Sequence, residues 1–368
     1  MRVLVTGSGG FIGKNLIVHL NEHEEFSTTS YLRGDSVDQL SILVNEADAV
    51  VHLAGENRPK DITAFVTVNT DLTKSLCRAI QETGRKIPLL LASSIHVDMN
   101  EPYGNSKRDA ESAVKQMSEE TGNPVYIYRL PNVFGKWCKP NYNSVVATFC
   151  HNIANNLPIQ VNNKSTNLRL VYVDDVVTDF LKVIRSFSEG IFYPIIEPEY
   201  NISLGALDTQ INAFKNCRKD LIVEQVGTGL VRALYSTYMS YVSPDQFTYD
   251  LIRHGDERGV FVEMLKTKDS GQFSYFTAHP GITRGGHYHH SKTEKFLVIK
   301  GIARFGFRHI VTNESYEILI SGEKPQVVET VPGWTHDITN IGEEEMLVML
   351  WANEIFDKEL PDTKSAKV

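Results

Sequence analysis

From its amino terminus the chain alternates short apolar runs with amphipathic stretches. "RVLVT" passes through a glycine turn into "FIGKNLIVHL", where Phe11, Ile12, Leu16, Ile17 and Leu20 recur at helical spacing. Further apolar runs, "FSTTSYL", "AVVHLAG", "LLLASS" and "VYIYRL", are separated by helical patterns such as "VNTDLTKSLCRAIQET". Strands alternating with helices predict a doubly wound parallel α/β sheet. After "NAFKNC" and "LVRALYSTYMSYV" the pattern changes near Pro244. From there "RGVFVEML", "FSYFTAH", "EKFLVIKG", "ARFGFR", "YEILI" and "EMLVMLW" follow one another closely, broken by glycine and proline turns. That rhythm predicts an all-β sandwich or barrel. The expected domains are therefore residues 1–243 and 244–368.

Composition agrees and narrows the function. At 368 residues the chain exceeds what a single hydrophobic core usually serves. With 42% hydrophobic and 22% charged residues it reads as an ordinary globular protein, and it has no apolar run of about 20 residues, so no membrane insertion is expected. A formal charge of -8 offers no attraction to nucleic acid or anionic lipid, so neither is expected as a partner. Cys77, Cys138, Cys150 and Cys217 are scattered without a CxxC pair. Reduced thiols and a cytoplasmic location follow as expectations. A strand beginning at the second residue leaves no room for a signal peptide.

The first candidate chemistry sits on the α/β half. Gly7 permits the tight turn, Gly10 lets backbone approach a pyrophosphate, and Gly13 lets the helix pack on the strand, with the helix N-terminus facing the phosphates. A glycine turn that binds nothing is the alternative. Where an acid would grip the ribose of NAD, the chain reads "YLRGD". Arg33 suits the 2′-phosphate of NADPH, while Asp35 keeps NAD open. In "YGNSK", Tyr103 and Lys107 stand at i and i+4 on one helix face, so both can act on one substrate atom. An ammonium beside the phenol lowers its pKa and prepares it to protonate a carbonyl that is being reduced. Ser94, ending "LLLASS", is placed to hydrogen-bond the same oxygen. A tyrosine and a lysine on an exposed helix face would be the plainer reading.

"TGSGGFIG", "HLAG", "ASS", "YGNSK", "RLPNVFG" and "RLVYVDDVV" occur in the order seen in extended short-chain dehydrogenase/reductases that modify nucleotide sugars. The resemblance covers about residues 1 to 240 and implies a Rossmann-type fold. It also implies a Ser94, Tyr103 and Lys107 triad. Gly7, Gly10, Phe11, Ile12, Gly13, Ala54, Asn69 and Lys107 would meet the cofactor, and Arg129, Asn132 and Arg169 the sugar nucleotide. Asn69 equally suits a helix N-cap. One departure stands out: Tyr103 follows Ser94 by only nine residues, so a substrate-covering segment usual in such relatives is missing.

The second candidate chemistry lies in "GITRGGHYHHSKTEKFLVIKG". On a strand His287 and His289 face one way and His290 the other, and a turn returns Glu294 to the first face. "VPGWTHDITN" adds His336. Two or three imidazoles and one carboxylate leave a coordination position open, the layout of a catalytic divalent metal site. Zinc fits, with nickel, iron and manganese also open; a histidine-rich surface loop is the alternative. The spacing from Gly281 to Gly301 is similar to the first cupin motif, and Gly333, His336 and Asn340 resemble the second, although Pro332 abuts Gly333. This implies a jelly-roll cupin domain. "DERGVFVEML" and "ITRGGHYHH" further resemble the sugar-nucleotide 3,5-epimerases of the cupin superfamily, whose base is a histidine in the place of His287. His287 is therefore ligand, base, or each in turn. Arg284 would face the substrate, or sit solvated in a turn.

A carbon-4 ketone acidifies the hydrogens on carbons 3 and 5, and reducing it removes that acidity. Epimerisation would come first and reduction second. The whole chain resembles bifunctional bacterial capsular-polysaccharide enzymes that join such a reductase to a metal cupin. That resemblance implies a UDP-activated amino-sugar substrate, epimerisation at carbon 3, a UDP-N-acetyl-6-deoxy-L-talosamine product and a homodimer. Competing readings are a reductase with a purely structural cupin, a sugar-nucleotide sensor, and a dehydratase or carbon-4 epimerase.

Overall fold

The computed structural model describes residues 1–247, 249–290, 292–359 and 361–368. The chain divides into two compact units, residues 1–211 with 228–243, and residues 212–227 with 244–368. The boundary read near Pro244 thus needs one correction. Residues 212–227 group with the second unit, because Ile222 and Val223 pair in parallel with Lys266 and Thr267.

The first unit runs β1 (Arg2–Thr6), α1 (Phe11–Asn21), β2 (Ser27–Tyr31), α2 (Val37–Glu46), β3 (Ala49–His52), α3 (Leu72–Glu82), β4 (Leu89–Ser94), α4 (Pro102–Thr121) and β5 (Val125–Leu130). It continues with β6 (Asn132–Phe134), α5 (Val145–Ala154), β7 (Asn167–Tyr172), α6 (Val173–Arg185), β8 (Ile191–Phe192), β9 (Tyr200–Ser203) and the start of α7 (Leu204–Asp220). After β10 (Ile222–Val223) in the second unit, α8 (Gly229–Met239) returns to the first. The main sheet has the order β2-β1-β3-β4-β5-β8, parallel throughout. Its central strands are apolar on both faces because helices cover both. On one side Leu40 and Val44 of α2, Leu76 and Ile80 of α3, and Val114 and Met117 of α4 close over Leu4, Val50, Leu89 and Ile127. Strands β6, β7 and β9 form a separate small sheet. The helix expected from "VNTDLTKSLCRAIQET" starts as a π-helical turn, Phe65–Asp71, before α3.

The second unit continues from β10 with β11 (Arg253–Asp256), β12 (Gly259–Thr267), β13 (Gly271–Ala278), β14 (Thr283–Tyr288), β15 (Glu294–Lys300), β16 (Ile302–His309), β17 (Ser315–Ser321), β18 (Val327–Glu329), β19 (Trp334–Asn340), β20 (Met346–Ala352) and β21 (Lys364–Ser365). One sheet runs β10-β12-β13-β20-β15-β18, with β11 beside β12, and the other β17-β16-β19-β14-β21. Phe276, Phe296, Val298 and Val348 of the first pack against Phe305, Phe307, Ile320 and Ile338 of the second. This is the two-sheet sandwich of a cupin jelly roll.

Candidate functional site

In the first unit a cleft of about 880 Å³ opens where β1 turns into α1. The turn is specific to glycine. Gly7 has φ +69°, and a Cβ there would lie 2.6 Å from the Ala54 nitrogen. A Cβ at Gly13 would lie 2.3 Å from the Gly7 carbonyl, so only glycine lets α1 start this close to the strand end. The amides of the first turn of α1 are thereby left facing the cleft, where an anion is favoured.

Gly7, Gly10, Phe11, Ile12, Gly13, Ser94, Tyr103, Lys107 and Asn132 all line this cleft. Ser94 ends β4, and Tyr103 and Lys107 lie in the first two turns of α4. Lys107 is 8% exposed and donates to the Ala92 carbonyl at 3.0 Å. Burial pushes its pKa down to about 8, against the pull of Glu111. The effect expected of Lys107 on the phenol is not what dominates here. Burial raises the Tyr103 pKa, and the Ser94 hydroxyl is what draws it back down. The phenol is held protonated, the form that donates.

Asn69 is buried and does not cap α3. Its amide accepts from the Glu56 backbone at 2.8 Å and donates to Ser106 Oγ at 3.0 Å, behind the cleft wall. Gly55 leaves room for this, since a Cβ there would sit 3.2 Å from Asn69 and 3.3 Å from the Lys107 ammonium. Ala54 donates its amide to Thr6 Oγ1 at 3.2 Å, beneath the glycine turn.

Three expected contacts are engaged elsewhere. Arg33 extends from the end of β2 and pairs with Glu56, while the Asp35 carboxylate accepts from the Leu32 amide at 2.7 Å. Arg129 does not line the cleft: it makes two hydrogen bonds, at 3.0 and 2.8 Å, to buried Glu111 and lies 5.3 Å over the Tyr193 ring. Arg169 is held by Glu199 on the surface. The cleft wall is instead supplied by His96, Asn57, Arg58, Trp137, Lys139, Tyr142 and Asn143. The usable signal was the density of aromatic and basic residues in "GKWCKPNYN", typical of a binding loop.

The second unit gathers His287, His289, Glu294 and His336, with one ligand atom of each within 4.8 Å of the others. A β-bulge makes this convergence. His287 pairs with His336, and Arg284 with Ile338, yet the register shifts between Gly285 and His287. The extra residue puts Arg284 and His287 on the same inward face as His336 and Ile338, which plain alternation would forbid. Arg284 is accordingly no solvated turn residue; it is half-buried, 5.2 Å over Phe276, and donates to the Thr277 carbonyl at 3.1 Å.

This donor set fits a divalent metal. His289 Nδ1 lies against the Asp362 carbonyl, which only an N–H satisfies, so Nε2 carries the lone pair. That nitrogen faces Glu294 Oε2 at 3.2 Å, and His336 Nε2 faces the same oxygen at 3.3 Å. A divalent ion between these atoms would satisfy them together, since about 3.4 Å is the edge of a tetrahedron with metal–ligand arms of roughly 2.1 Å. Both ring nitrogens of His336 are buried without a hydrogen-bond partner. Burial works against the Glu294 charge, and the Lys292 ammonium beside it favours that charge. His287 is half-buried, and burial, then His336, pushes its pKa down to about 4, leaving a neutral imidazole fit for a ligand or a base.

The profile of the NAD dependent epimerase/dehydratase family matches residues 3–202, and that of the polysaccharide biosynthesis C-terminal domain matches residues 254–364. A UDP-2-acetamido-2,6-beta-L-arabino-hexul-4-ose reductase of Pseudomonas aeruginosa is 56% identical over 368 residues, 100% of this chain and 99% of its own. The crystal structure of the capsular polysaccharide assembling protein CapF from Staphylococcus aureus is similar over 100% of both chains, at 40% identity and a TM-score of 0.92. The crystal structure of UDP-glucuronic acid 4-epimerase from Bacillus cereus in complex with NAD is similar in fold, at 17% identity and a TM-score of 0.56 over 66% of this chain and 98% of its own. A glycine turn, a serine, tyrosine and lysine cluster and a likeness to relatives over the full length of the chain converge: this chain belongs to the NAD dependent epimerase/dehydratase family, with a polysaccharide biosynthesis C-terminal domain joined to it.

Proposed function

We propose that the chain is a bifunctional UDP-sugar enzyme of capsular polysaccharide synthesis. Its cupin unit epimerises a UDP-4-keto-6-deoxy-N-acetylhexosamine at carbon 3. Its Rossmann unit then reduces the carbon-4 ketone with NADPH to UDP-N-acetyl-6-deoxy-L-talosamine. The observation that carries this reading is the presence in one chain of a proton-donating Tyr103 cluster and a His/Glu cluster, chemistries that meet at one ketone. The relative from P. aeruginosa, a reductase of a 4-ulose by name, supports the substrate class. A cytoplasmic homodimer carrying zinc completes the proposal.

In the reductase, NADPH supplies the hydride. The Tyr103 hydroxyl gives its proton to the carbonyl oxygen as that oxygen gains charge, and Ser94 donates to the same oxygen and then to the phenolate. Lys107 steadies that phenolate by charge. Asn69 holds the loop after β3 through Glu56, and Arg33, released from Glu56, would meet the 2′-phosphate. The lining of Trp137, Lys139 and Tyr142 offers stacking surface and one cation for the uridine diphosphate.

In the cupin, His289, Glu294 and His336 would hold the metal, which supplies Lewis-acid stabilisation of an enolate oxygen. His287 takes the carbon-3 proton, and reprotonation from the other face inverts the centre. The fourfold convergence favours a second reading as well. If His287 is a permanent ligand, the set is closed as in structural sites, and the cupin only stabilises the reductase.

The test uses Tyr103→Phe protein without NADPH in deuterated water, with the UDP-4-keto sugar followed by NMR. Deuterium at carbon 3 that disappears in His287→Ala is expected. No enzyme-dependent exchange at any ring carbon would leave the structural reading standing.

A further inference from the structure

Lys292 is a charged side chain that the proposed chemistry leaves unused, and it is only 6% exposed. Its ammonium lies 3.1 Å from Glu294 Oε1, while Glu294 Oε2 is the oxygen that faces His289 and His336. The two carboxylate oxygens are thus divided between an ammonium and a pair of imidazoles. The backbone of Lys292 is fixed too, since its amide donates to Asp362 Oδ2 at 2.9 Å. The side chain passes 5.9 Å from the Phe356 ring. Burying a lysine this deeply costs free energy unless it is paired, and Glu294 is the carboxylate recorded against its ammonium among the described residues.

A carboxylate can bind a divalent ion through one oxygen or two. With both, it fills an extra coordination position and closes the site to substrate. An ammonium paired with Oε1 opposes that closure, because Oε1 would have to leave the ion pair, and the ammonium would be drawn towards a second positive charge. Resting on the metal-binding reading above, we propose that Lys292 is a positioning residue. It restricts Glu294 to ligation through one oxygen and so keeps a coordination position free for the keto or enolate oxygen of the substrate. It also returns one positive charge to a site that Glu294 would otherwise partly neutralise.

A purely structural Lys292–Glu294 pair would alter stability without altering coordination, and a metal probe separates the two. Full-length protein stripped by chelation is titrated with Co²⁺, whose visible bands weaken as coordination number rises, and azide then reports the free position. The wild type is expected to bind one Co²⁺ and to shift its spectrum with azide. In Lys292→Met the freed Oε1 should turn onto the metal, weakening the band and lowering azide affinity about tenfold, the lower end of the range for partners outside the ligand set. Lys292→Arg should restore both. Lys292→Gln, which keeps a donor without charge, gives an intermediate spectrum and replaces the Met variant if that one loses its circular dichroism. A folded, Co²⁺-loaded Met or Gln variant with the wild-type spectrum and azide response would overturn the role of Lys292. A wild type that takes up no Co²⁺ would instead sink the metal-binding reading.

Discussion

The two sites of this molecule are built in opposite ways. The Tyr103 cluster is local, from the end of one strand and two turns of one helix, and its buried cation already donates to a backbone carbonyl. The His/Glu cluster draws on β14, β15, β19 and the loop carrying His289, and it leaves His336 without hydrogen-bond partners. The difference follows from the reagent. On the proposed function, a site that receives a diffusing cofactor and substrate can be finished by the protein, whereas a metal site would stay electrostatically incomplete until its ion arrives.

The largest expected effect breaks one side only. Tyr103→Phe should slow NADPH oxidation about 1000-fold, within the usual range for a lost general acid, while carbon-3 exchange persists. Steady-state absorbance at the NADPH band and NMR check the two halves. His336→Ala should do the reverse, weakening metal binding by at least about 100-fold, the upper end for mere outer partners. Chelator competition measures it, and an undiminished NADPH oxidation with already epimerised substrate would show that the sites act separately. If both variants lost both activities while folded, the contrast between the sites would fail.

Smaller effects sharpen the reductase side. Arg33→Ala should raise KM for NADPH about tenfold with NADH unchanged, the worth of one charge-assisted contact; equal changes for both cofactors would return Arg33 to a surface pair with Glu56. The smallest is a pH effect. Burial lowers the Lys107 pKa to about 8 in the fold, so between about pH 8 and the unfolded value near 10.5 the unfolded chain binds a proton that the folded one has released. Stability of the cofactor-free protein therefore gains from Lys107 as pH rises through that window, and the gain is absent below about 8. Urea midpoints at pH 8 and 10 should rise less in Lys107→Met than in the wild type.

Periodicity and turn residues alone determined that a parallel α/β unit precedes an all-β unit, and where most strands lie. Spacing alone also brought forward Tyr103 with Lys107, because i and i+4 share a face on any helix, and the glycines of the first turn, because their need is steric and local. Tertiary structure decided the rest. The grouping of residues 212–227 with the second unit depends on a two-residue pairing far along the chain. Arg129 and Arg169 pair with carboxylates distant in the chain, Glu111 and Glu199, which no spacing reveals. The inward turn of Arg284 rests on a one-residue bulge that reverses strand alternation. In the sequence Lys292 is only one more charge between the histidines and Glu294. Its meaning lies in which oxygen of Glu294 it holds, a matter of ångströms that only the folded barrel sets.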